Sequence, residues 1–238
     1  MSYAFSSTSN CLYMKIKIAI ASNINFYQKS LPVIIPSLIE NGIEPEDIHV
    51  FIAGFGYEGK QDNDGITFYQ LEHNSYEYSP LIEIVDKQLE ADYWFLIHDT
   101  CKVGPKFKEL IYNIPEDKPE KVAMRLTPSM SIGSYRYDYL LSCKDKLMGI
   151  RNTDLSVESL KRWKYWGVRA EDYILCQTSP LPAIYNGNDK DGEWSLVDWD
   201  NWFGTDVQRR TEYYPSLDLY KNKSNWGQST GLDMVINV

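Results

Sequence analysis

The sequence predicts an α/β fold, a single domain built on a mixed, mainly parallel central sheet. Segments typical of strands alternate with segments typical of helices over about the first 115 residues, an order that gives parallel strands joined by right-handed crossovers. The connections between these segments are short. A length of 238 residues with a hydrophobic share of 43% is enough for one well-buried core.

The first strand and helix are predicted near the amino terminus, after an extension of residues 1–14. Residues 15–21, KIKIAIA, alternate polar and apolar side chains and then become wholly apolar, as a strand does when it enters a core. Apolar residues with helical spacing follow over 27–41, and Gly42 has the position of a C-terminal cap. Pro36 within this segment predicts a kink.

The alternation continues through three more strands and two more helices. We predict strands in IHVFIAG, which ends at Gly54, in ITFYQLE and in YWFLI, and helices over 79–90 and 105–112. The polar segment GYEGKQDNDG between the first two of these strands predicts a loop.

The pattern changes after residue 115. A strand is predicted in VAMRLTP, a helix in YRYDYLLSCKDKL and another helix over 156–165. Residues 186–230 are rich in Gly, Asn, Asp and Trp and show little periodicity. We interpret them as loops that cover a site, and not as a separate domain.

Composition and charge narrow the classes of partner. A net charge of −9 argues against a nucleic-acid polymer, because phosphate backbones attract Lys and Arg. No stretch approaches the roughly 18 apolar residues of a membrane helix, so we expect no integral membrane segment. The Ser-rich start lacks the pattern of a signal peptide, and the four cysteines form no CxxC pair. These features favour a reduced, cytoplasmic setting.

Small or polar residues follow the predicted parallel strands. They are Ser22 and Asn23 after the first strand, Gly54 after the second, Asn74 after the third and Asp99 after the fourth. Ligands of open parallel sheets bind at the carboxyl ends of the strands, so these residues predict a nucleotide site. Ordinary polar turns at strand ends are the alternative.

The segment FLIHDTC, residues 95–101, resembles part of the GT-A glycosyltransferases. In that family a Rossmann-like βα half has a fourth strand that ends in an Asp-x-Asp motif, which holds a metal and the nucleotide diphosphate. The order of elements over roughly 15–175 is similar. The resemblance implies Asp99 as a metal or ribose ligand, His98 as a substitute metal ligand, and Mn²⁺ or Mg²⁺ as the cofactor. Cys101 stands where the second carboxylate would be.

The segment WKYWGVRAEDYIL places Glu171 and Asp172 after Gly167. Inverting members of the family have a Glu-Asp pair at this point of the chain, so the resemblance implies Asp172 as the general base and Glu171 as the residue that orients the acceptor. A carboxylate can take the proton that the acceptor hydroxyl loses as it attacks. The alternative is a helix start that attracts acids through its dipole.

Two further segments carry candidate binding residues. In SMSIGSYRYDYLL, Gly133 would let the backbone approach a sugar, and Arg136 could contact a phosphate or a hydroxyl. In EWSLVDWDNWF, the rings of Trp199 and Trp202 could stack on the acceptor. A plain turn, a surface arginine and a tryptophan cover for the core are the alternatives.

Lys221 and Lys223 lie in the late segment YPSLDLYKNKSNWGQ. They could close over the diphosphate and stabilise the leaving group as its charge develops, as a metal does elsewhere. Solvated surface lysines are the alternative.

The resemblance implies a nucleotide-binding half over 15–115 and an acceptor-binding half over 116–238. The function it implies is inverting transfer of a sugar from a nucleotide diphosphate sugar donor to a glycan, glycolipid or glycoprotein acceptor. A non-catalytic GT-A-like domain that binds a glycan or a protein is one alternative. A nucleotidyltransferase is another, although ASNINF after the first strand lacks the Gly-rich basic loop that such enzymes usually show.

Overall fold

The computed structural model describes residues 14–124, 132–163, 182–187, 195–196 and 209–224. The strands are β1 (Ile16–Asn23), β2 (Ile48–Ala53), β3 (Gly59–Asn63), β4 (Ile66–Leu71), β5 (Tyr93–His98), β6 (Cys101–Val103), β7 (Lys121–Ala123), β8 (Gly133–Arg136), β9 (Ala183–Ile184), β10 (Ser195–Leu196), β11 (Arg209–Tyr214) and β12 (Leu219–Ser224). The helices are α1 (Tyr27–Glu40), α2 (Ser79–Asp86), α3 (Phe107–Ile111), α4 (Tyr137–Ser142), α5 (Lys144–Gly149) and α6 (157–163).

The central sheet has eight strands in the order β3-β4-β2-β1-β5-β8-β7-β9. The pairs β1–β2, β1–β5, β2–β4 and β7–β9 are parallel, whereas β3–β4, β5–β8 and β7–β8 are antiparallel. The predicted α/β class with a mixed, mainly parallel sheet is therefore confirmed.

Side chains alternate between the two faces of this sheet, and helices cover both faces. Along β1, Ile16, Ile18 and Ile20 join a core with the apolar side of α1, whereas Ala19 and Ala21 join a second core with α2. Strands buried on both faces are apolar along most of their length, which is why periodicity identified β1, β2 and β5. Helix α1 continues through Pro36.

Two predicted element boundaries need correction. The segment GYEGKQDNDG is not a plain loop, because it contains β3, which pairs with β4 in an antiparallel hairpin. Asp64 and Gly65 at the turn have φ angles of 49° and 85°, and an Asp-Gly pair is a strong hairpin signal that the loop interpretation overlooked. The helix predicted in YRYDYLLSCKDKL is interrupted at Cys143, between α4 and α5.

The interpretation of 186–230 as loops is wrong for the part that the structure describes. Strands β10, β11 and β12 form a second sheet with β6, in the order β10-β11-β12-β6. The β11–β12 turn is tied to the chain after β6 through Asp218, which accepts bonds from the backbone N–H of Gly104 (2.8 Å, to its carbonyl) and of Lys106 (2.9 Å, to Oδ2). The hairpin is thus fixed next to the segment that follows Asp99.

Within the described ranges, no helix is both long enough and apolar enough to cross a bilayer.

Candidate functional site

The carboxyl ends of four parallel strands meet at one edge of the central sheet. The chain passes from β1 to β2 and β4 on one side, and then returns to place β5 on the other side of β1. The connections of the chain therefore lead first to one side of β1 and later to its other side. Such a change of direction is a topological switch point, where the ligand crevice of an open α/β sheet forms. This point lies between Ser22, near the end of β1, and Asp99, just after β5.

The Asp99 carboxylate is held at this switch point. Its Oδ2 accepts hydrogen bonds of 2.6 Å from the hydroxyls of Ser22 and Ser30, and its backbone N–H donates to the carbonyl of Ala21 at 3.0 Å. Asp99 is 7% exposed. Two hydroxyl donors to one oxygen restrict the orientation of the carboxylate.

Ser30 was not among the predicted site residues. It lies in the first turn of α1 on the buried side of the helix, next to Leu31 and Ile34. A small polar residue among apolar residues on one helical face was the available signal, because a buried hydroxyl needs a hydrogen-bond partner. The partner comes from β5 and is 69 residues away in the chain.

Backbone hydrogen bonds link the ends of β1, β2 and β4, and the N–H of Ile24 after β1 donates to the carbonyl of Ala53 at the end of β2 at 2.9 Å. Asn23 Oδ1 accepts a bond from the N–H of Asn25 at 3.0 Å, which makes a tight turn after β1. Gly54 has a φ of 92° and donates its N–H to the carbonyl of His73 at 2.9 Å. A Cβ at Gly54 would lie 3.8 Å from Asn74 Nδ2, so these two residues are neighbours at the edge.

Lys221 of the second sheet lies next to His98. Its Nζ is 2.9 Å from His98 Nδ1, and Lys221 pairs with Cys101 between β12 and β6. An ammonium group has donors but no acceptor, so Nδ1 accepts this bond and the neutral ring carries its proton on Nε2. His98 and Lys221 were predicted as site residues from separate segments of the sequence, and the structure brings them into contact.

Glu212 is a further acid on the same hairpin. It lies directly opposite Lys221 in the β11–β12 ladder, where side chains of facing residues project to the same side with Cβ atoms roughly 5 Å apart. Glu212 is 1% exposed, and its Oε2 accepts a bond of 2.8 Å from the hydroxyl of Tyr214. Glu212 was not among the predicted site residues, because residues 186–230 were predicted to be loops.

The donor atoms at this edge do not fit a divalent metal. Within the described residues, no group of three or more His, Cys, Asp or Glu side chains is arranged so that it could hold a metal ion. The Cys101 thiol is fully buried in the apolar core on the α1 side of the sheet. The Nδ1 lone pair of His98 receives the Lys221 ammonium, and Nε2 of the same ring carries the proton. Asp99 is therefore the one carboxylate in the segment FLIHDTC, whereas Mg²⁺ and Mn²⁺ favour several oxygen ligands.

The two predicted acceptor residues of β8 lie at opposite ends of that strand. Gly133 pairs with Leu96, two residues before His98, and so lies near the Asp99 edge. Arg136 pairs with Tyr93, six residues before Asp99, which places it about 20 Å away along the strand direction. Its guanidinium binds Asp138 and the carbonyl of Lys118. The structure does not bring Arg136 to the switch point, because β8 runs antiparallel to β5.

Four predicted site residues lie outside the described ranges. They are Glu171, Asp172, Trp199 and Trp202. The backbone of Lys223 pairs with Arg210 in the β11–β12 ladder, which places it two residues beyond Lys221 on the same strand.

A second polar cluster lies beside the end of β4. Ser75 Oγ is 3.0 Å from His73 Nδ1, and His73 Nε2 is 3.0 Å from Glu83 Oε1. This order of groups is that of a serine hydrolase triad. All three side chains are fully buried, and Ser75 Oγ accepts a bond of 2.9 Å from the N–H of Asn152. A substrate has no access to such a hydroxyl, so the cluster is structural.

A cavity of about 470 Å³ adjoins this cluster. Its lining includes Asn152, Arg162 and Trp163, and the Trp163 ring stacks on that of Tyr76 with centroids 5.3 Å apart. The carbonyl of Asn152 accepts a bond from the N–H of Asn74 at 2.9 Å. This hydrogen bond joins Asn152, which lines the cavity, to Asn74 of the predicted nucleotide site.

No protein-family model matches the sequence, and no curated protein matches it either. The fold and the site define the chain as an α/β protein with a buried acid, Asp99, at the switch point of its central sheet. The GT-A resemblance rests on the order of elements and on the residues described above.

Proposed function

We propose that the chain is a glycosyltransferase that transfers a sugar from a nucleotide diphosphate sugar to a glycan, glycolipid or glycoprotein acceptor. The observation that carries the proposal is the Asp99 carboxylate, fixed by Ser22 and Ser30 at the switch point between β1 and β5. A carboxylate at this position can accept hydrogen bonds from the hydroxyls of a ribose or a sugar, which a nucleotide sugar supplies in number.

The arrangement of charge supports a phosphorylated donor. A lysine ammonium lies beside the residue that precedes Asp99, so a cation and an acid occupy one edge of the sheet. The acid suits hydroxyl groups, and the cation suits a diphosphate. Both are needed by one ligand that carries a ribose and two phosphates.

In the proposed reaction, an acceptor hydroxyl oxygen attacks the anomeric carbon and forms the new glycosidic bond. The bond from that carbon to the β-phosphate oxygen breaks, the nucleoside diphosphate leaves with the bonding electrons, and the hydroxyl proton passes to a carboxylate base. We retain Asp172 as the proposed base and Glu171 as the residue that orients the acceptor, on the strength of the family resemblance.

Calorimetry against nucleosides, nucleoside diphosphates and nucleotide sugars tests the binding half of the proposal. We expect saturable binding of at least one nucleoside diphosphate, with a stoichiometry of one. Product analysis then tests catalysis, because incubation of the protein with the bound nucleotide sugar should release nucleoside diphosphate and, with an acceptor, transfer the sugar. Binding without turnover over a broad acceptor panel would favour the non-catalytic alternative.

Asp172→Asn tests the assignment of the base. The change preserves side-chain size but removes the proton acceptor, so we expect sugar transfer to slow by about 10² to 10⁴. Donor affinity should change little, because the base acts on the acceptor. Glu171→Gln is the matched control and should lower the rate less. Equal and small losses in the two variants would exclude this pair from proton transfer.

A further inference from the structure

The cavity beside Trp163 has the size and the lining of a small-molecule site. Its volume of about 470 Å³ lies within the range of about 300 to 1,000 Å³ that such sites occupy. Among the described residues, the side chains that line it include an indole, an amide, a hydroxyl and two guanidinium groups, from Trp163, Asn152, Ser159, Arg151 and Arg162. One apolar ring and several hydrogen-bonding groups thus face the same space.

The indole of Trp163 is held from two sides. Its ring stacks on the ring of Tyr76, with centroids 5.3 Å apart, and its Nε1–H donates to the carbonyl of Ile150 at 2.6 Å. Tyr76 has a φ of 50°. This conformation is unfavourable for a bulky residue, and strain of this kind clusters at functional sites. The apolar wall of the cavity is therefore formed before any ligand binds.

Asn152 contributes a hydrogen-bond donor that has no acceptor in the protein. Its backbone N–H donates to Ser75 Oγ at 2.9 Å, and its Oδ1 accepts a bond of 3.0 Å from Ser159 Oγ. Its Nδ2 is buried and has no hydrogen-bond partner in the described part of the chain. A buried donor without an acceptor is costly, so a ligand oxygen at this wall of the cavity is favoured.

The charges around the cavity favour an uncharged ligand over a phosphate. The Arg151 guanidinium is compensated within the protein by three carboxylates, those of Glu58, Glu83 and Asp86. Hydrogen bonds from Ser156, and to a smaller extent the charge of Arg162, lower the pKa of Asp154. An acid therefore lies near each arginine. The two guanidinium groups are suited to donate hydrogen bonds to hydroxyls, which an uncharged sugar supplies in number.

Asn74 joins the cavity to the predicted nucleotide edge. Its N–H donates to the carbonyl of Asn152 at 2.9 Å, and its Oδ1 accepts a bond of 3.1 Å from the N–H of Tyr76. Trp163 packs in the core on the α2 side of the central sheet, whereas Asp99 is bound by a hydroxyl of α1 on the other side. The cavity and the Asp99 carboxylate are therefore held on opposite faces of the sheet, next to the same edge.

We infer that this cavity binds an uncharged sugar ring and is the acceptor subsite of the chain. The indole of Trp163 is the apolar wall for the ring, and Asn152 Nδ2 and the Arg162 guanidinium donate hydrogen bonds to its oxygens. Binding of a sugar here does not require the proposed function. The role of that sugar as the acceptor deepens the proposed function and rests on it.

The first test is a titration of the wild-type chain with the methyl glycosides of glucose, galactose, mannose and N-acetylglucosamine, followed by ¹H–¹⁵N NMR. The chain has seven tryptophans, so the Nε1–H resonance of Trp163 is assigned by its loss in Trp163→Phe. We expect at least one glycoside to shift this resonance saturably at millimolar concentrations. Glucose 6-phosphate should bind no more tightly than glucose, since the charges around the cavity are compensated.

The second test is Arg162→Met. Arg162 is exposed, so the fold should be retained, and loss of a charged hydrogen-bond donor should weaken binding of the glycoside by about tenfold. Affinity for the nucleoside diphosphate should be unchanged, and KM for the matching acceptor should rise by a similar factor. Lys161→Met is the matched control, because Lys161 is the preceding exposed cation on α6 and lies outside the described lining of the cavity.

The outcomes separate this inference from the proposed function. If no glycoside shifts the Trp163 resonance at tens of millimolar, or if glucose 6-phosphate binds tenfold more tightly than glucose, the inference is wrong, and nucleotide binding still decides the proposed function. Equal losses in Arg162→Met and Lys161→Met would place the sugar elsewhere and also overturn it. If glycosides bind as expected but no nucleotide binds, the proposed function fails and the acceptor role fails with it.

Discussion

Glu83 and Asp99 are both buried acids, but the protein surrounds them with different partners. Glu83 on α2 binds two cations and an imidazole ring: its Oε2 is 2.9 Å from Lys87 Nζ, and its Oε1 is 3.6 Å from Arg151 Nη2 and 3.0 Å from His73 Nε2. Asp99 Oδ2 accepts hydrogen bonds from two neutral serine hydroxyls. From this difference we expect Glu83 to stabilise the fold and Asp99 to contribute to the proposed ligand site.

The cations around Glu83 belong to a closed network. Lys87 also binds Glu58 at 3.1 Å, and Arg151 binds Glu58 at 3.0 Å and Asp86 at 3.2 Å. Two cations and three carboxylates thus bind one another within the protein, and the network ties α2 to the segments around Glu58 and Arg151. We expect such a network to act on stability.

At the switch point, two serine hydroxyls bind the Asp99 carboxylate, and the His98 ring contacts the Lys221 ammonium. Hydroxyl donors fix the position of a carboxylate at the carboxyl end of the strands, where ligands of open α/β sheets bind. We therefore expect substitutions in the Glu83 network to change stability, and substitutions at the switch point to change binding.

Glu83→Gln should give the largest effect on stability. The change leaves Lys87, Arg151 and His73 around a neutral side chain in a fully buried position, so the free energy of unfolding should fall by about 3 kcal/mol. Urea denaturation followed by circular dichroism measures it. Glu58→Gln is the matched control, because Glu58 binds the same two cations from a more exposed position and should cost less than about 1 kcal/mol. Equal losses would break the comparison.

The pH dependence of stability sharpens the same prediction. Burial raises the pKa of Glu83, but hydrogen bonds from His73 and Lys87 outweigh burial and hold the pKa below its ordinary value of 4.5. A lowered pKa in the folded state gives stability that is present above the unfolded value and is lost as the pH falls through the folded value. The urea midpoint of the wild type should therefore fall more steeply than that of Glu83→Gln below about pH 4.5. Parallel acid profiles would contradict this assignment.

Much of the fold could be predicted from sequence because its inner strands are apolar on both faces. Their burial in a parallel sheet leaves an unbroken apolar run, and the polar residue that ends each run marks the carboxyl edge. Asp99 and Ser22 were found in this way. The β11–β12 hairpin was missed because its strands carry the polar residues Glu212, Lys221 and Asn222. The burial of Glu212 and Asn222 depends on contact with distant segments.

The contacts of the site could not be predicted for the same reason. Lys221 and His98 are 123 residues apart, and their contact depends on the pairing of β12 with β6. Ser30 reaches Asp99 only because α1 packs on the face of the sheet that carries Ile18 and Ile20. Sequence patterns indicate which residues are polar near a strand end, but tertiary packing decides which of them meet.

Asp99→Asn should have the opposite pattern to that expected for Glu83→Gln, with a larger effect on ligand binding than on stability. The amide preserves the size of the side chain and one acceptor for the serine hydroxyls, so we expect the free energy of unfolding to change by no more than about 1 kcal/mol. Loss of the carboxylate should weaken nucleoside and nucleoside diphosphate binding alike, by about tenfold or more, because both ligands carry the ribose. Calorimetry with the two ligands measures this.

Asp92→Asn is the matched control for Asp99→Asn. Asp92 immediately precedes β5, at the opposite end of the strand from Asp99, and accepts a bond of 2.6 Å from the N–H of Lys15. Its substitution should leave both ligand affinities unchanged. A loss of several kcal/mol in stability for Asp99→Asn, with unchanged nucleoside affinity, would make Asp99 a structural acid like Glu83.

Ser30→Ala and Ser37→Ala give the smallest and most selective pair of effects. The two serines are seven residues apart on the buried face of α1, but they have different partners. Ser30 Oγ lies 2.6 Å from Asp99 Oδ2 and 3.1 Å from the carbonyl of Phe26, whereas Ser37 Oγ donates to the carbonyl of Ile34 at 2.8 Å and accepts a bond of 3.2 Å from the N–H of Val103. Both hydroxyls contact the backbone, but of the two Ser30 alone contacts the carboxylate of the site.

Ser30→Ala should therefore weaken nucleoside diphosphate binding by about fivefold, the value of one hydrogen bond of about 1 kcal/mol, because the carboxylate loses one of its two orienting donors. Ser37→Ala should leave binding unchanged and lower the free energy of unfolding by about 1 to 2 kcal/mol, because the Val103 N–H is left buried without its acceptor. Calorimetry and urea denaturation on both variants measure the contrast. If both substitutions affect only stability, Ser30 has no role in ligand binding. The contrast between Glu83 and Asp99 would then depend on the substitutions of those two acids.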